Sequence, residues 1–253
     1  MDSITEKLAS CHQVTLLQVD ISKAFDTIAH RHITDKLLQL KLHCDVYNWC
    51  CNFLTDRYHA TKWSGVTSNQ RHINCGVIQG SVLGPTLFII AISNLAPVNN
   101  MVNCIKYADD TMFVFPGINQ NMIAEEWSNV NNWVNCANLK LNQQKTKITC
   151  ISLNRHKEPK IIAPKIIMLD ATKHKVDNKF CTLGVAITSN LAITPHISSI
   201  VAKSNKMFYA LKILKNHGMD DDCLNMVFTA TVLSRIQYAV NSWRLLMTND
   251  EVQ

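Results

Sequence analysis

The sequence VNCIKYADDTMFVF, residues 102–115, decides the fold of this 253-residue chain. Residues 102–107 and 111–115 are apolar runs of strand length, rich in β-branched and aromatic side chains. A short turn that contains Asp109 and Asp110 joins them. The stretch therefore predicts a β-hairpin with two adjacent carboxylates at its tip.

A third carboxylate, Asp20, follows another apolar run, VTLLQV at residues 14–19. An Asp-Asp pair in a turn is by itself most often a solvated loop. If the two strand regions are neighbours, however, Asp20 joins Asp109 and Asp110 in one cluster. Like charges held close together are costly unless a cation neutralises them, and oxygen ligands suit Mg²⁺. The three carboxylates thus indicate a site for two Mg²⁺ ions of the kind that assists phosphoryl transfer.

Apolar periodicity and turn residues predict the other elements. The predicted helices cover 33–40, 46–54, 85–95, 122–139, a segment that begins at Thr194 and Pro195 and ends at Gly218, and a segment after Asp220. In the second of these helices Val46, Trp49, Cys50, Phe53 and Leu54 share one face. Strands are predicted at 148–153 and 180–188, and a hairpin at 58–63 with 71–75. Residues 154–179, which are rich in lysine and contain two prolines, predict a surface segment.

Composition excludes several classes of protein. The chain is 47% hydrophobic and 17% charged, which argues against wholesale disorder, and its 7 glycines exclude a collagenous chain. Its 10 cysteines form no C-x-x-C pair, which argues against a zinc site. The N-terminus does not resemble a signal peptide and no apolar run is long enough to cross a bilayer, so we expect an intracellular protein without a membrane partner.

Positive charge is concentrated in the second half of the chain. The formal net charge is +6, and residues 140–215 hold 14 Lys and Arg against 3 Asp and Glu. A basic surface of this kind attracts a polyanion if its side chains share a face, but it is also compatible with an ordinary solvated surface.

Several motifs taken together resemble the reverse transcriptases of non-LTR (LINE-type) retrotransposons. The matching segments are DISKAFDT at 20–27, GVIQGSVLGP at 76–85, YADD at 107–110, LNQQKTK at 141–147, LGV at 183–185, and QYA at 237–239 with Trp243. The first three resemble the first three palm motifs in order and approximate spacing. The likeness extends over about residues 13–243, and it is the combination of short motifs that makes it specific.

The resemblance implies an α+β fold, a reverse-transcriptase palm in which an antiparallel sheet has helices packed on one face. A mostly helical thumb-like region follows. We expect the palm at residues 1–190 and the thumb-like region at 191–253. The implied function is RNA-directed DNA polymerase: nucleotidyl transfer from a dNTP to a primer 3′-hydroxyl with two metal ions. The implied partners are an RNA template, a DNA primer and dNTPs.

The resemblance also assigns the acidic residues. Asp20 and Asp109 would ligate the two Mg²⁺ ions, for which Mn²⁺ is a possible substitute, and Asp110 would complete the cluster in a more peripheral role. Ile21 would offer its backbone carbonyl oxygen. These assignments follow from the matching motifs and not from the composition of the chain.

The nucleotide pocket would contain Phe25, Gln79, Gly80 and Ser81, and Lys145 would meet the triphosphate or protonate the pyrophosphate. The ring of Phe25 would collide with a 2′-hydroxyl and so favour dNTPs. Each residue also has a structural interpretation that the sequence leaves open: Phe25 as a core aromatic, the glycine-rich loop as an ordinary entry to a helix, and Lys145 as a solvated lysine.

Nucleic-acid contacts are implied for four residues in the basic half. Leu183 and Gly184 would form a primer-gripping turn, and Lys203 and Lys206 would lie along the phosphate backbone. We expect the apolar stripe of their helix, which includes Val201 and Phe208, on the opposite face. Simple strand packing and a solvated helix face remain the alternatives.

The chain departs from the family pattern in three respects. Because only 19 residues precede Asp20, we expect this chain to lack the basic fingers segment of the family, an endonuclease domain and a Cys/His-rich knuckle. Ile78 replaces the proline usual in the glycine-rich loop, and Ser93-Asn94 replaces Asn-Asp. The alternative function is therefore a catalytically inactive, truncated retroelement remnant that at most binds nucleic acid.

Overall fold

A computed structural model describes residues 2–152, 166–169 and 172–247. The chain divides into two compact units. The sheet unit consists of Thr15–Ile148 and Pro164–Lys175, and the helical unit consists of Met1–Val14, Thr149–Ala163 and Val176–Gln253. Both are named here for the elements that dominate them.

Strands and helices together make an α+β fold, as the sequence predicts. The strands are β1 (Gln13–Val19), β2 (Arg57–His59), β3 (Lys62–Trp63), β4 (Val66–Thr67), β5 (Arg71–Ile73), β6 (Asn103–Tyr107), β7 (Asp110–Pro116), β8 (Lys147–Ser152), β9 (Ile166–Leu169), β10 (Thr172–Asp177), β11 (Lys179–Thr182) and β12 (Val185–Thr188). The largest sheet has six strands in the order β6-β7-β1-β8-β10-β9.

The predicted hairpin at 102–115 is confirmed as β6 and β7, which pair antiparallel. β7 also pairs antiparallel with β1, from Thr15 opposite Phe115 to Val19 opposite Thr111. Both strands are buried along most of their length because they lie inside the sheet and carry apolar side chains on both faces. Burial therefore fixes the register that aligns the ends of β1 and β7.

Five helices belong to the sheet unit: α2 (Ala24–Thr27), α3 (His30–Gln39), α4 (Cys44–Leu54), α5 (Leu83–Ile92) and α6 (Gln120–Cys136). α3 packs against α4 and α5, and α6 packs against β9. The single apolar face expected for α4 is wrong in part, because Cys50 and Leu54 are buried whereas Val46 and Trp49 are exposed. Leu40, the last residue of the helix predicted at 33–40, follows the end of α3 and is likewise exposed.

The expectation that 154–179 is a surface segment is wrong for its second half. β9 and β10 pair antiparallel, with Leu169 opposite Thr172. Ile167, Leu169 and His174 are buried. The lysines of this segment suggested exposure, but a strand can bury alternate residues while its polar residues face the other way. The first part of the predicted segment, residues 154–165, lies outside the described residues.

The helical unit contains α1 (Asp2–Cys11), α7 (Thr194–Asn216), α8 (Asp221–Phe228), a π-helical segment (Thr229–Leu233), α9 (Ser234–Gln237), α10 (Val240–Trp243) and the 3₁₀ segment Arg244–Leu246. α1 was not predicted, although it buries Ile4 and Leu8. Gly218, with φ of +86°, follows the end of α7 as expected. The apolar stripe predicted for α7 is wrong at Val201 and Phe208, which are about half exposed.

All ten cysteines are free thiols. Among the helices of the described residues, none combines the length and the apolar character that a membrane span requires.

Candidate active site

Asp20 and Asp110 lie at the same end of two adjacent strands. β1 ends at Val19, whose register partner on β7 is Thr111. Because the pairing is antiparallel, Asp20 follows Val19 on the side where Asp110 precedes Thr111. The sheet thus brings together two carboxylates that are 90 positions apart in the sequence.

Asp109 belongs to the two-residue turn between Tyr107 and Asp110, which form the last pair of the hairpin. Its neighbour in that turn, Ala108, has φ of +51°, a left-handed conformation that favours glycine. Strain of this kind collects at functional sites, where the surrounding structure holds it in place. The turn leaves the side chains of Asp109 and Asp110 exposed at the tip of the hairpin.

The three carboxylates interact electrostatically. Partial desolvation of its carboxyl group raises the pKa of Asp110 above its ordinary value of 3.8, although the residue is exposed, and the negative charges of Asp109 and then of Asp20 raise it further. A divalent cation would remove this repulsion, so the donor set fits a hard cation that prefers oxygen ligands. The ligand atoms of Asp20, Asp109 and Asp110 do not all lie within 4.8 Å of one another. Among the described residues, the group of three potential metal ligands that meets this distance is His43, Cys44 and Asp45.

That second group is a local structure at the start of α4. The Nδ1 of His43 accepts a hydrogen bond from the backbone N–H of Asp45 and lies 3.4 Å from a carboxylate oxygen of the same residue. All three side chains are exposed. The contacts are those of a helix cap, which accounts for the cluster without a ligand.

The segment that follows β1 is fixed by residues 140–142. The backbone carbonyl of Asp20 accepts a hydrogen bond of 2.8 Å from the N–H of Asn142, and Ile21 forms an isolated bridge with Leu141. Ile21 is buried. This anchorage holds the backbone around Asp20 and Ile21 in one conformation.

Lys145 lies in the turn that starts at Asn142. The side-chain oxygen of Asn142 accepts a hydrogen bond from the N–H of Lys145, and its backbone carbonyl accepts one from the N–H of Thr146. Because Asn142 is also bonded to the backbone of Asp20, the turn ties Lys145 to the end of β1. Its side chain is exposed and has no ion-pair partner among the described residues.

Phe25 lies on α2 and stacks on Phe88 of α5. Their ring centroids are 4.2 Å apart and the ring planes differ by 22°. Phe88 is fully buried, whereas Phe25 is half-buried. Phe25 is therefore not a core aromatic in the full sense: one part of it packs on the core and the rest reaches the surface.

The glycine-rich loop docks directly on α2. The N–H of Val77 donates to the carbonyl of Phe25 over 2.7 Å, and the side-chain amide nitrogen of Gln79 donates to Asp26 Oδ1 over 2.6 Å. A Cβ on Gly76 would lie 2.7 Å from the carbonyl oxygen of Asp26. The loop can approach α2 this closely only because Gly76 has no side chain.

Gly80 and Ser81 follow in the same loop. Gly80 has φ of +79°, and no atom lies within 4 Å of the position of an added Cβ. The hydroxyl of Ser81 donates to the carbonyl of Ile78 over 2.7 Å and accepts from the N–H of Gly84 over 3.0 Å. Ser81 thus shapes the entry to α5, as the structural interpretation expects, while the backbone of Gly80 is open to approach.

The remaining predicted residues lie in the helical unit. Leu183 and Gly184, with φ of +46° and +81°, form the two-residue turn between β11 and β12. Lys203 and Lys206 are exposed on α7. The helical unit therefore contains a tight turn and an exposed basic helix face, whereas the carboxylate cluster belongs to the sheet unit.

Four residues with a clear part in these sites were not assigned one from the sequence, and three of them contact predicted site residues. Asp26 binds Gln79, Phe88 supports Phe25, and the hydroxyl of Tyr238 donates to the carbonyl of Leu183 over 2.8 Å. Asp26 and Tyr238 lie within matching motifs, which was the available signal. Phe88 has no signal beyond its apolar helix, because stacking depends on the tertiary fold.

Lys106 is a fourth such residue, next to the hairpin tip. Its ammonium group donates to the backbone carbonyls of Ile92, Ser93 and Leu95, each at 2.9 Å. Burial lowers the pKa of Lys106 from its ordinary value. A cation at the carboxyl end of a helix satisfies the last free carbonyls, so Lys106 fastens the hairpin to α5.

Comparison with known proteins finds a matching family model and several relatives. Residues 3–187 match the family model described as reverse transcriptase (RNA-dependent DNA polymerase). The chain is 26% identical over 209 residues to "Probable RNA-directed DNA polymerase from transposon BS" of Drosophila melanogaster, covering 78% of this chain and 22% of that protein. It is 27% identical over 203 residues to the RNA-directed DNA polymerase from mobile element jockey of the same organism, covering 72% and 20%. The chain thus spans about a fifth of the length of these relatives.

Solved structures with a similar fold include a telomerase from Candida Tropicalis in complex with a fragment of telomeric RNA. The TM-score is 0.54 at 12% sequence identity, over 97% of this chain and 41% of the telomerase chain. An apo telomerase from the same organism, truncated from its C-terminal domain, gives a TM-score of 0.50 at 12% identity, over 76% of this chain and 37% of that one. At this identity the likeness concerns the fold.

Proposed function

Because the chain belongs to the reverse transcriptase (RNA-dependent DNA polymerase) family, we propose that it carries the polymerase centre of a non-LTR retrotransposon. The reaction is nucleotidyl transfer from a dNTP to the 3′-hydroxyl of a DNA primer on an RNA template. The observation that carries the proposal is the position of Asp20 and Asp110 at one end of paired strands, with Asp109 in the adjoining turn.

Polymerases of this family depend on a divalent metal. We assign two ions, Mg²⁺ or Mn²⁺, to Asp20 and Asp109, with Asp110 completing the negative charge and Ile21 offering its carbonyl oxygen. The pKa of Asp110, which is raised first by desolvation and then by the charges of Asp109 and Asp20, supports this assignment, because a cation would relieve the repulsion among these charges. When bound, such ions activate the attacking hydroxyl and stabilise the leaving pyrophosphate.

The nucleotide would lie against α2 and the glycine-rich loop. Phe25 selects a deoxyribose by sterics, since its half-buried ring, stacked on Phe88, would collide with a 2′-hydroxyl. Gln79 offers its amide to the sugar or base, and Gly80 and Ser81 offer backbone groups. Lys145 either contacts the triphosphate or donates a proton to the pyrophosphate as it leaves.

The nucleic acid would be held by the basic half of the chain. We assign residues 1–190 to the palm and 191–253 to a thumb-like region. The turn of Leu183 and Gly184 meets the primer end, and Lys203 and Lys206 contact phosphates without regard to sequence. Their exposure on α7 supports this assignment.

Primer extension tests the proposal. The chain is incubated with an RNA template, an annealed DNA primer, dNTPs and Mg²⁺, beside Asp109→Asn and the control Asp45→Asn, which changes another exposed aspartate. We expect extension by the unmodified chain and by Asp45→Asn, and a loss of more than about 100-fold in Asp109→Asn, because charge stabilisation by the metal is worth several kcal/mol. Extension that survives Asp109→Asn, or no extension by any of the three proteins, would contradict it.

A further inference from the structure

Residues 57–73, between α4 and the glycine-rich loop, form a hairpin that contains two successive strand pairs. Its surface carries exposed aromatic and basic side chains. β2 pairs with β5 at its base, and β3 pairs with β4 near its tip. Between these two strand pairs, the N–H of Ser68 donates to the carbonyl of Thr61 over 2.9 Å. This segment, called the basic hairpin here, takes no part in the polymerase site proposed above.

Large apolar side chains of the basic hairpin are exposed to an unusual degree. Trp63 is 80% exposed, Val66 is 73% exposed and Tyr58 is 58% exposed. Trp63 and Val66 face each other across the last pair before the turn of Ser64 and Gly65. Exposing most of a tryptophan side chain in this way is costly in water, and clustered exposure of this kind marks a binding surface.

The same hairpin is rich in cationic side chains. Residues 57–73 contain Arg57, Lys62 and Arg71 as well as His59 and His72, and they contain no Asp or Glu. Lys62 and Arg71 are exposed, and neither has an acidic partner among the described residues. The charge is therefore available to an anionic ligand.

Contacts with α4 and within the hairpin hold the basic hairpin in a defined conformation. Arg57 Nε donates to the carbonyl of Phe53 on α4 over 2.6 Å, and its guanidinium lies 4.9 Å from the centre of the Phe53 ring. Tyr58 contacts His72 edge to face at a centroid distance of 5.4 Å. In the turn, Ser64 and Gly65 have φ of +47° and +83°, the combination found in tight two-residue hairpins.

We propose that the basic hairpin binds single-stranded nucleic acid, with Trp63 and Tyr58 stacking on unpaired bases and Lys62 and Arg71 contacting phosphates. Exposed aromatic rings together with cations are the means by which proteins bind single strands without sequence preference. In a duplex the faces of the bases are already covered by neighbouring bases. The absence of acidic side chains from residues 57–73 favours a polyanion over an apolar protein partner or a lipid surface.

Binding of labelled 12-nucleotide oligomers, measured by fluorescence anisotropy, tests the proposal. The probes are single-stranded RNA, single-stranded DNA of the same sequence, and the DNA duplex. We expect Trp63→Ala to weaken binding of at least one single strand by about five-fold or more, because stacking contributes about 1–3 kcal/mol per base. Duplex binding by the same variant should be unchanged, and the comparison of RNA with DNA shows which single strand is the ligand.

The matched control is Trp49→Ala, which removes a second tryptophan that is 60% exposed but lies on α4, outside the hairpin. It should bind like the unmodified chain, and Trp63→Phe should retain most of the affinity. Lys62→Gln with Arg71→Gln should weaken binding and flatten its dependence on salt. None of these experiments requires polymerase activity, so their failure is separate from that of the proposed function.

Three outcomes would overturn the proposal. The first is an unmodified chain that does not bind either single strand. The second is equal affinity in the unmodified chain and Trp63→Ala, or equal losses in Trp63→Ala and Trp49→Ala. The third is a chain that binds phospholipid vesicles with 30% anionic lipid through Trp63, but binds neither oligonucleotide through it.

Discussion

The side-chain amide nitrogen of Gln79 donates a hydrogen bond to Oδ1 of Asp26 over 2.6 Å, although the two residues are 53 positions apart. A carboxylate only accepts hydrogen bonds, so it fixes which end of the amide faces it. The amide oxygen of Gln79 is then left as an acceptor for another group. Asp26 acts as a positioning residue for Gln79.

Replacing Asp26 by Asn should remove this constraint while preserving size. An asparagine amide can donate or accept, so Gln79 no longer has one preferred orientation. We expect the KM for dNTP in primer extension to rise about five-fold, the loss of about one hydrogen bond, with a smaller change in kcat. Steady-state kinetics with a single dNTP measure this.

The control is a double-mutant cycle with Gln79→Ala. If Asp26 acts through Gln79, adding Asp26→Asn to Gln79→Ala should have little further effect on KM. Additive losses in the double variant would show that Asp26 acts independently, which would contradict the positioning role.

The stack of Phe25 on Phe88 predicts a second-site effect on sugar selectivity. Phe25→Ala should raise the ratio of kcat/KM for rNTP to that for dNTP by about ten-fold or more, because a steric block worth more than about 1.4 kcal/mol is removed. Phe88→Leu should raise the same ratio by a smaller factor, because it leaves Phe25 in place but takes away the ring that holds it.

Single-nucleotide incorporation with matched dNTP and rNTP measures both ratios. Ile89→Ala serves as the control, since Ile89 is the exposed neighbour of Phe88 on α5. A ratio that Phe25→Ala leaves unchanged would show that this ring does not meet the 2′-hydroxyl.

Gly76 and Gly80 lie in the same loop, and replacing each of them by alanine tests how the packing of this loop contributes to stability. Gly76→Ala places a Cβ 2.7 Å from the carbonyl oxygen of Asp26 at φ of +82°, whereas Gly80→Ala meets nothing within 4 Å at φ of +79°. Both variants incur the cost of a left-handed alanine, about 1 kcal/mol. Only Gly76→Ala also has to displace the loop from α2.

Urea unfolding should therefore show a larger loss of unfolding free energy for Gly76→Ala than for Gly80→Ala, by at least about 1 kcal/mol. Equal losses would indicate that the loop does not dock on α2 as described. The comparison needs no substrate, so it tests the architecture of the site separately from its activity.

Tyr238 holds the tip of the β11–β12 turn. Its hydroxyl donates to the carbonyl of Leu183, and its ring lies 3.5 Å from the position of an added Cβ on Gly184. The indole N–H of Trp243 in turn donates to the backbone carbonyl of Tyr238 over 2.9 Å. If this turn grips the primer, Tyr238→Phe should raise the KM for primer-template about three-fold to ten-fold and change kcat less, since about one hydrogen bond is lost.

Tyr209→Phe is the corresponding control, because Tyr209 is an exposed tyrosine on α7. Equal primer KM values for Tyr238→Phe and the unmodified chain would contradict the role of the turn. A loss confined to kcat would point to the chemistry instead.

The parts of the fold that the sequence predicts are those in which local pattern and tertiary burial agree. The hairpin around Asp109 has two apolar runs of strand length, a tight turn and no competing pattern. β9 and β10 were missed because their lysines indicate solvent while their pairing buries Ile167 and Leu169. In α4 the apolar pattern includes Val46 and Trp49, which remain exposed because the packing of α4 does not reach them.

The candidate site also has a part that the sequence predicts and a part that it does not. Its carboxylates, the glycine-rich loop and Phe25 follow from the matching motifs. The contacts of Asp26, Phe88 and Tyr238 do not, because each joins residues that are far apart in the sequence and depends on the final packing. Sequence patterns identify residues by type and spacing, whereas contacts of this kind exist only in the folded chain.

A Mn²⁺ titration followed by electron paramagnetic resonance of the free ion measures whether the hairpin tip binds a divalent metal, as the proposed polymerase centre requires. The proteins are the unmodified chain, Asp109→Asn and Asp45→Asn, the last altering the group of His43, Cys44 and Asp45. We expect Asp109→Asn to weaken Mn²⁺ binding by about ten-fold or more, since a charged ligand is lost, and Asp45→Asn to leave it unchanged. Unchanged Mn²⁺ binding in Asp109→Asn, with a loss in Asp45→Asn, would contradict this expectation.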